Sequence, residues 1–282
     1  MTIAILIPTR GRPVLAEQAV AKLLDKSASD YTSIAVGMDD DEQGWDGLVD
    51  CRLKLSREPR EDTLGAKYNR CAACAPDADI YMLWADDMVV TTPGFDKLIE
   101  DTAAQFTDGI GMVFFGKIPG VMQPGIAVTR RMVELMGELC EVEHPYWWQD
   151  TRLIEIGRMC GRIIEIPDVQ VECLTQLKGN SRGVREISFW GQYFEAMRPE
   201  RIAIAERVID ACNDQPFRKY QLRQMLPAWE RIFREANSKC CDPIQANELE
   251  KHYGFDANPD ERYLRVKSRA EAKLAAAQRK VA

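Results

Sequence analysis

Between Ile3 and Phe115, short apolar runs alternate with stretches of helical spacing, and this alternation limits the chain to few folds. Ile3–Ile7, Ser33–Gly37, Cys51–Leu55, Asp79–Trp84 and Gly111–Phe115 read as strands, each short, largely apolar and bounded by turn residues or charges. Val14–Lys26 and Thr63–Cys74 carry apolar residues at helical spacing, the second entered through Asp62 or Thr63 as a cap. Thr92-Pro93 predicts another helix, with threonine as the cap and proline at its first position. Such alternation implies an α/β fold, a mostly parallel Rossmann-like sheet flanked by helices. A hydrophobic fraction of 46% supplies its core without disulfide or metal staples.

After Gly116 the pattern changes. A Gly/Pro-rich loop, Lys117 to Gly125, leads to a short strand and a helix near Arg130–Leu139. An aromatic, polar segment, His144–Asp150, precedes a helix through Cys160, and two short strands, Arg162–Ile166 and Val169–Cys173, follow. From Ile187 the signal is helical, with Arg198–Asn213, Phe217–Asn237 and Ala246–His252 as segments. The sequence therefore divides into an α/β domain, residues 1–186, and a helical C-terminal region, 187–282, which is a candidate homodimer surface. Arg262–Lys280 reads as a solvated terminal helix, with a basic partner surface as the alternative.

A net charge of −7 gives no overall reason to expect a polyanionic partner, so nucleic acid is possible but not favoured. The apolar run Ile3–Ile7 is too short for a signal-peptide core or a membrane span. The nine cysteines are therefore expected to be reduced in a cytoplasmic protein. Cys71 and Cys74 form a C-x-x-C pair with no second pair at zinc-ribbon spacing, which favours packing on a helix over a zinc site.

In parallel sheets ligands bind beyond the carboxyl ends of the strands. Pro8, Thr9 and Arg10 follow the first strand, Asp39 the second, and Asp86 and Asp87 end the strand Asp79–Trp84. Two adjacent carboxylates at the end of an apolar strand repel each other unless a cation is present. Mg²⁺ or Mn²⁺, which takes one or two carboxylates with phosphate oxygens, suits them. Taken alone, the pair reads more readily as solvated loop residues, and Asp39 as part of an acidic turn.

Together these segments resemble the family 2 glycosyltransferases, which have the A-type nucleotide-diphospho-sugar transferase (GT-A) fold. The resemblance runs through IAILIPTRGRP at 3–13, a strand and a Pro-Thr/Ser-x-x-Arg-type loop, and VGMDDDE at 36–42. It continues through LGAKYNRCA at 64–72, YMLWADDMV at 81–89, similar to a strand-terminal D-x-D metal motif, and YWWQDTRL at 146–153. It spans roughly residues 3–175 and leaves the helical remainder outside.

The resemblance implies a metal-dependent, inverting transfer of a sugar from a nucleotide diphosphate, with UDP favoured, to an acceptor hydroxyl. It places Pro8, Thr9, Arg10, Asp39, Lys67, Asn69 and Asp86 at the nucleotide-sugar donor, Asp87 on Mn²⁺ or Mg²⁺, and Asp150 as the general base. Trp147 and Trp148 precede that base and read equally as a sugar platform or as core. Lys178, Arg182 and Arg185, with Gly179 and Gly183, are a candidate lid over the diphosphate. The chain departs from the family where many relatives end a strand in a metal-binding histidine: Val169 to Gly183 has none, which leaves Glu172 or Cys173 in that position, or a metal held by Asp87, phosphates and water. His144 reads as structural. The acceptor is left open among a glycan, a small molecule, a protein and a hydroxylated base in viral DNA. A nucleotidyltransferase and a non-catalytic binding protein are the alternative readings.

Overall fold

A computed structural model describes the chain except residues 46–48, 118–124, 146, 175–185, 254–259 and 282. Its residues group into two compact units, Met1–Cys140 with Arg162–Thr175, and Glu141–Gly161 with Gln176–Ala282. Asp150 thus belongs to the same unit as the C-terminal helices.

The first unit is built on an eight-stranded sheet in the order β3-β2-β1-β4-β7-β6-β8-β5. Its strands are β1 (Ile3–Pro8), β2 (Thr32–Asp39), β3 (Leu53–Glu58), β4 (Ile80–Leu83), β5 (Met88–Val90), β6 (Met112–Lys117), β7 (Gly125–Thr129) and β8 (Ile163–Cys173). The β3-β2-β1-β4 run is parallel, β7 is antiparallel to both β4 and β6, and β5 is antiparallel to β8. Every residue of β1 and β4 is buried, as expected of central parallel strands whose side chains meet apolar cover on both faces. Helices α1 (Pro13–Lys26), α2 (Leu64–Ala73), α3 (Phe95–Ala103) and α4 (Arg130–Met136) connect them.

Strand order reverses between β1 and β4. The chain leaves β1 through α1 toward β2 and β3, then returns through α2 to lay β4 on the other side of β1. This is a topological switch point, where neighbouring connections diverge and leave a crevice at the strands' carboxyl ends. Helix α2 is capped by Thr63, whose Oγ1 accepts from Ala66 N at 3.1 Å. It lies so close to β2 that a Cβ on Gly37 would come within 2.6 Å of Cys71 Sγ. That burial pushes the Cys71 thiol up to about 12, so it is an inert packing group.

Two local expectations are corrected. Helix α3 starts at Phe95 behind Gly94, which adopts φ +68°, and not behind Thr92; Met88–Val90 first forms β5. The residues read as two strands form one, β8, which pairs with β6 along its first part and with β5 at its end. A register irregularity between Phe115 and Lys117 lets it continue through Pro167. The loop 118–124 and the candidate lid at 178–185 lie outside the described residues.

The second unit holds α5 (Gln149–Met159), α6 (Ile187–Ala196), α7 (Arg198–Ala211), α8 (Pro216–Cys241), α9 (Pro243–Tyr253) and α10 (Glu261–Val281). Its core gathers Trp148, Ile187, Trp190, Tyr193, Phe194, Tyr263 and Val266 among others, so the basic terminal helix buries one face through Tyr263, Val266 and Ala270. Buried Glu155 of α5 accepts from Arg201 Nε at 2.8 Å, Arg198 Nη1 at 3.2 Å and Asn237 Nδ2 at 2.8 Å, tying α5 to α7 and α8. Among the described residues, no helix is long and apolar enough to cross a membrane.

Candidate functional site

The carboxyl edge of the first unit's sheet carries two carboxylate clusters side by side. One surrounds Asp39, which ends β2 and is fully buried. Arg10 Nη1 donates to Asp39 Oδ2 at 2.6 Å, and the Lys67 ammonium lies 2.7 Å from Oδ1. Arg70 Nη2 stands 3.7 Å from Oδ1 and donates to the Met38 carbonyl at 2.7 Å. Burying a carboxylate this deeply is costly without cations against it, and three lie within 3.7 Å. Lys67 also donates to the Thr9 carbonyl at 2.7 Å, so one ammonium ties the ends of β1 and β2 to α2.

Arg10 reaches outward as well, donating to both oxygens of Asp41 at 2.9 and 3.1 Å. The bond to Arg10 holds the Asp41 carboxyl below its usual range. Gly11, at φ +66°, makes the turn that follows, and its N–H donates to Glu42. The loop after β1 is thereby fastened to the loop after β2.

The second cluster is the pair Asp86–Asp87 at the end of β4. Asp86 is 2% exposed. Thr9 Oγ1 donates to Asp86 Oδ2 at 2.7 Å. Arg12 spans the pair, donating through Nη2 to Asp86 Oδ1 and through Nη1 to Asp87 Oδ2 at 2.9 Å. Burial, with the neighbouring Asp87 charge adding, raises the Asp86 pKa against the opposing pull of Arg12 and Thr9. Lateral support comes from Tyr68, whose hydroxyl donates to the Trp84 carbonyl at 3.1 Å.

Two adjacent oxygen donors of this kind fit a hard divalent cation that draws its other ligands from phosphate and water. Among the described residues no group of three or more His, Cys, Asp or Glu side chains is arranged to hold a metal. Among the described groups at this edge, Asp86 and Asp87 are the carboxylates that could contribute to such a site. Strand β8 ends beside it: Cys173 is level with Met88, Glu172 with Val89, and Leu174 N donates to the Asp87 carbonyl at 2.7 Å. Glu172 and Cys173, the residues that the resemblance sets against the family's histidine, thus end their strand next to Asp87.

The predicted residues separate accordingly. Pro8, Thr9, Arg10, Asp39, Lys67, Asp86 and Asp87 converge on this edge. Asn69 does not face it: its amide donates to the Cys140 carbonyl at 2.8 Å and accepts from Cys140 N at 3.0 Å. Arg12 and Arg70 are the residues that sequence reasoning missed. The signal for Arg12 was present, since the spacing Pro-Thr-x-x-Arg counts to position 12 and not to Arg10.

Asp150 lies in the second unit, exposed, in the first turn of α5, where its Oδ1 accepts from Thr151 N at 2.8 Å. Behind it, buried Gln149 accepts from Glu141 N at 2.9 Å and donates to the Glu141 carbonyl at 2.6 Å. Trp148 is buried at φ +70°, a backbone state rare for large side chains, while Trp147 is half-buried. His144 sits in a box of rings, 5.1 Å from Tyr193 and 5.8 Å from each of Trp148, Trp190 and Phe194. Its Nδ1 is 3.4 Å from Glu141 Oε2. Although burial alone would raise the Glu141 carboxyl, the bond to His144 holds it at about 2.

No protein-family model matches the sequence, and no curated protein matches it. Solved structures do. Residues 1–349 of S. aureus TarS in complex with UDP superimpose with a TM-score of 0.51 at 11% identity, covering 88% of this chain and 78% of that one. The mannosyltransferase PcManGT from Pyrobaculum calidifontis, in complex with GDP-Man and Mn²⁺, gives 0.51 at 17% identity, covering 99% and 86%. GalNAc-T7 with UDP, GalNAc and Mn²⁺ gives 0.50 at 13% identity, covering 81% and 57%.

The chain has the GT-A fold. In this GT-A unit the crevice at the β1/β4 switch point is the place where Thr9, Asp39, Asp86 and Asp87 meet. Identities of 11–17% carry the architecture and not the chemistry of these neighbours.

Proposed function

We propose that this protein is a glycosyltransferase that moves a sugar from a nucleoside diphosphate to an acceptor hydroxyl. The observation that supports it most is the assembly of Asp39 with its cations beside Asp86–Asp87, at the switch point of a GT-A sheet. The structural neighbours were crystallised with UDP or GDP-Man, two of them with Mn²⁺, which favours a nucleotide-sugar donor. UDP is the first donor nucleotide to test.

In this reading Asp39 and Arg10 engage the nucleoside, Lys67 holds the Thr9 loop in place, and Asp86 meets the ribose. Asp86 and Asp87 would hold Mn²⁺ or Mg²⁺, which when bound offsets charge on the leaving diphosphate. Asp150 takes the proton from the acceptor hydroxyl as its oxygen bonds to the anomeric carbon. The bond from that carbon to the diphosphate breaks, and the nucleoside diphosphate leaves with its electron pair. Attack opposite the leaving group inverts the anomeric centre.

Thermal unfolding with a panel of nucleotides, with and without Mn²⁺, on wild type and Asp87→Ala tests the reading. Metal-dependent stabilisation by a nucleoside diphosphate or nucleotide sugar, absent from Asp87→Ala, supports it. Selective stabilisation by triphosphates would move the assignment to a nucleotidyltransferase. A folded protein that binds none of them is a scaffold without this chemistry.

A further inference from the structure

We propose that Arg12 is the resident cation of the Asp86–Asp87 pair, excluding a divalent metal until a nucleoside diphosphate draws the guanidinium away. The inference rests on the reading of that pair as the metal site.

The geometry assigns the role. Arg12 is bidentate across two different carboxylates, one N–H to Asp86 Oδ1 and one, at 2.9 Å, to Asp87 Oδ2. Asp86 cannot meet its charge with water, since its side chain is 3% exposed against 18% for Asp87. Two neighbouring carboxylates so placed need a cation at all times. A guanidinium and a divalent ion on the same oxygens would repel each other, so the two occupy the pair in turn.

Arg12 cannot step aside by losing a proton, because a guanidinium stays charged at any working pH. It has to move, and it leaves a charged partner only for another. The diphosphate of a donor supplies that anion, in a form that a guanidinium binds bidentately. The local backbone allows such movement. Arg12 is the residue before α1, Gly11 ahead of it is at φ +66°, and the Arg12 side chain is 25% exposed. Thr9, by contrast, keeps its 2.7 Å bond to Asp86 from a buried position and has no charge to exchange. Metal and nucleotide would therefore bind with strong positive coupling, and metal alone weakly.

The test is Mn²⁺ binding followed by the electron paramagnetic resonance signal of the free ion, with and without UDP or GDP. Wild type, Arg12→Gln, Arg12→Lys and Asp87→Ala are compared, with circular dichroism confirming that each is folded. Arg12→Gln should bind Mn²⁺ alone at least about tenfold more tightly than wild type, with Arg12→Lys between them and Asp87→Ala weakest. The diphosphate should tighten Mn²⁺ binding strongly in wild type and much less in Arg12→Gln. Equal or weaker affinity for Mn²⁺ alone in Arg12→Gln would overturn the proposal. If Arg12→Gln gains Mn²⁺ affinity while no variant binds a nucleotide, exclusion by Arg12 stands and the donor assignment falls.

Discussion

The two edges of the sheet treat their carboxylates in opposite ways. At the amino edge, Asp96 is fully buried and accepts from Ala28 N at 2.9 Å, Ser29 N at 3.0 Å and Thr32 Oγ1 at 2.8 Å. Asp79 likewise accepts from Thr2 N at 2.9 Å and from Arg130 Nη2 at 2.7 Å. Most of these donors are backbone groups or short hydroxyls, held where they are by the fold. At the carboxyl edge, Asp39, Asp86 and Asp87 are met mainly by Arg10, Arg12 and Lys67, long side chains that can exchange one anion for another. Fixed donors make a joint, and exchangeable cations make a site.

The largest expected effect separates the edges directly. Asp87→Ala should lower transfer, read as kcat/KM once an acceptor is in hand, by about 100-fold or more while the melting temperature stays near wild type. Asp96→Ala should do the reverse. It strands the buried Thr32 hydroxyl and two half-buried N–H groups, costs about 2 kcal/mol in chemical denaturation, and leaves nucleotide affinity unchanged below the transition. Lys67→Met should affect both quantities. Loss of one cation from Asp39 costs about 2 kcal/mol, less than for a pair with no other partner, and freeing the Thr9 carbonyl weakens nucleotide binding.

The smallest effect is a pH dependence. Burial alone would raise the Asp79 carboxyl, but the bonds from Thr2 and Arg130 outweigh it and leave its pKa below the ordinary value. A depressed carboxyl contributes stability above its unfolded pKa, near 4, and that contribution fades as pH falls through the folded value. Melting curves of wild type and Asp79→Asn should therefore differ at neutral pH and converge under acid. Water reaches this pair, so the separation should be modest.

Much of this contrast could be read from the chain, and the part that could not has a common cause. β1, β2, β4 and β6 and helices α1 and α2 were legible because their periodicity is local. So was the edge where Thr9, Asp39, Asp86 and Asp87 lie, since strand ends define it. β5 was missed because Met88–Val90 has only three residues and gains its identity from β8, far along the chain. Pro167 made one strand look like two. Asp96 lies in the first turn of α3, and nothing in sequence spacing announces that Ala28 and Ser29 point their N–H groups at it. Arg12 was visible as a loop arginine, but which carboxylates it would bridge depends on β1 lying next to β4. Local pattern reveals elements, whereas partners follow from topology.

The left-handed backbone at Trp148 has a mechanical meaning for the helix that follows. A left-handed conformation costs a non-glycine residue about 1 kcal/mol or more. Glycine would relieve that strain, yet the position holds a tryptophan whose ring is packed with His144 and Phe194. The indole works as an anchor and the twisted backbone as a preloaded joint, with Asp150 two residues along the lever. A cavity cut into the ring box, by Phe194→Ala for example, would slacken that joint and let the carboxylate drift without touching it.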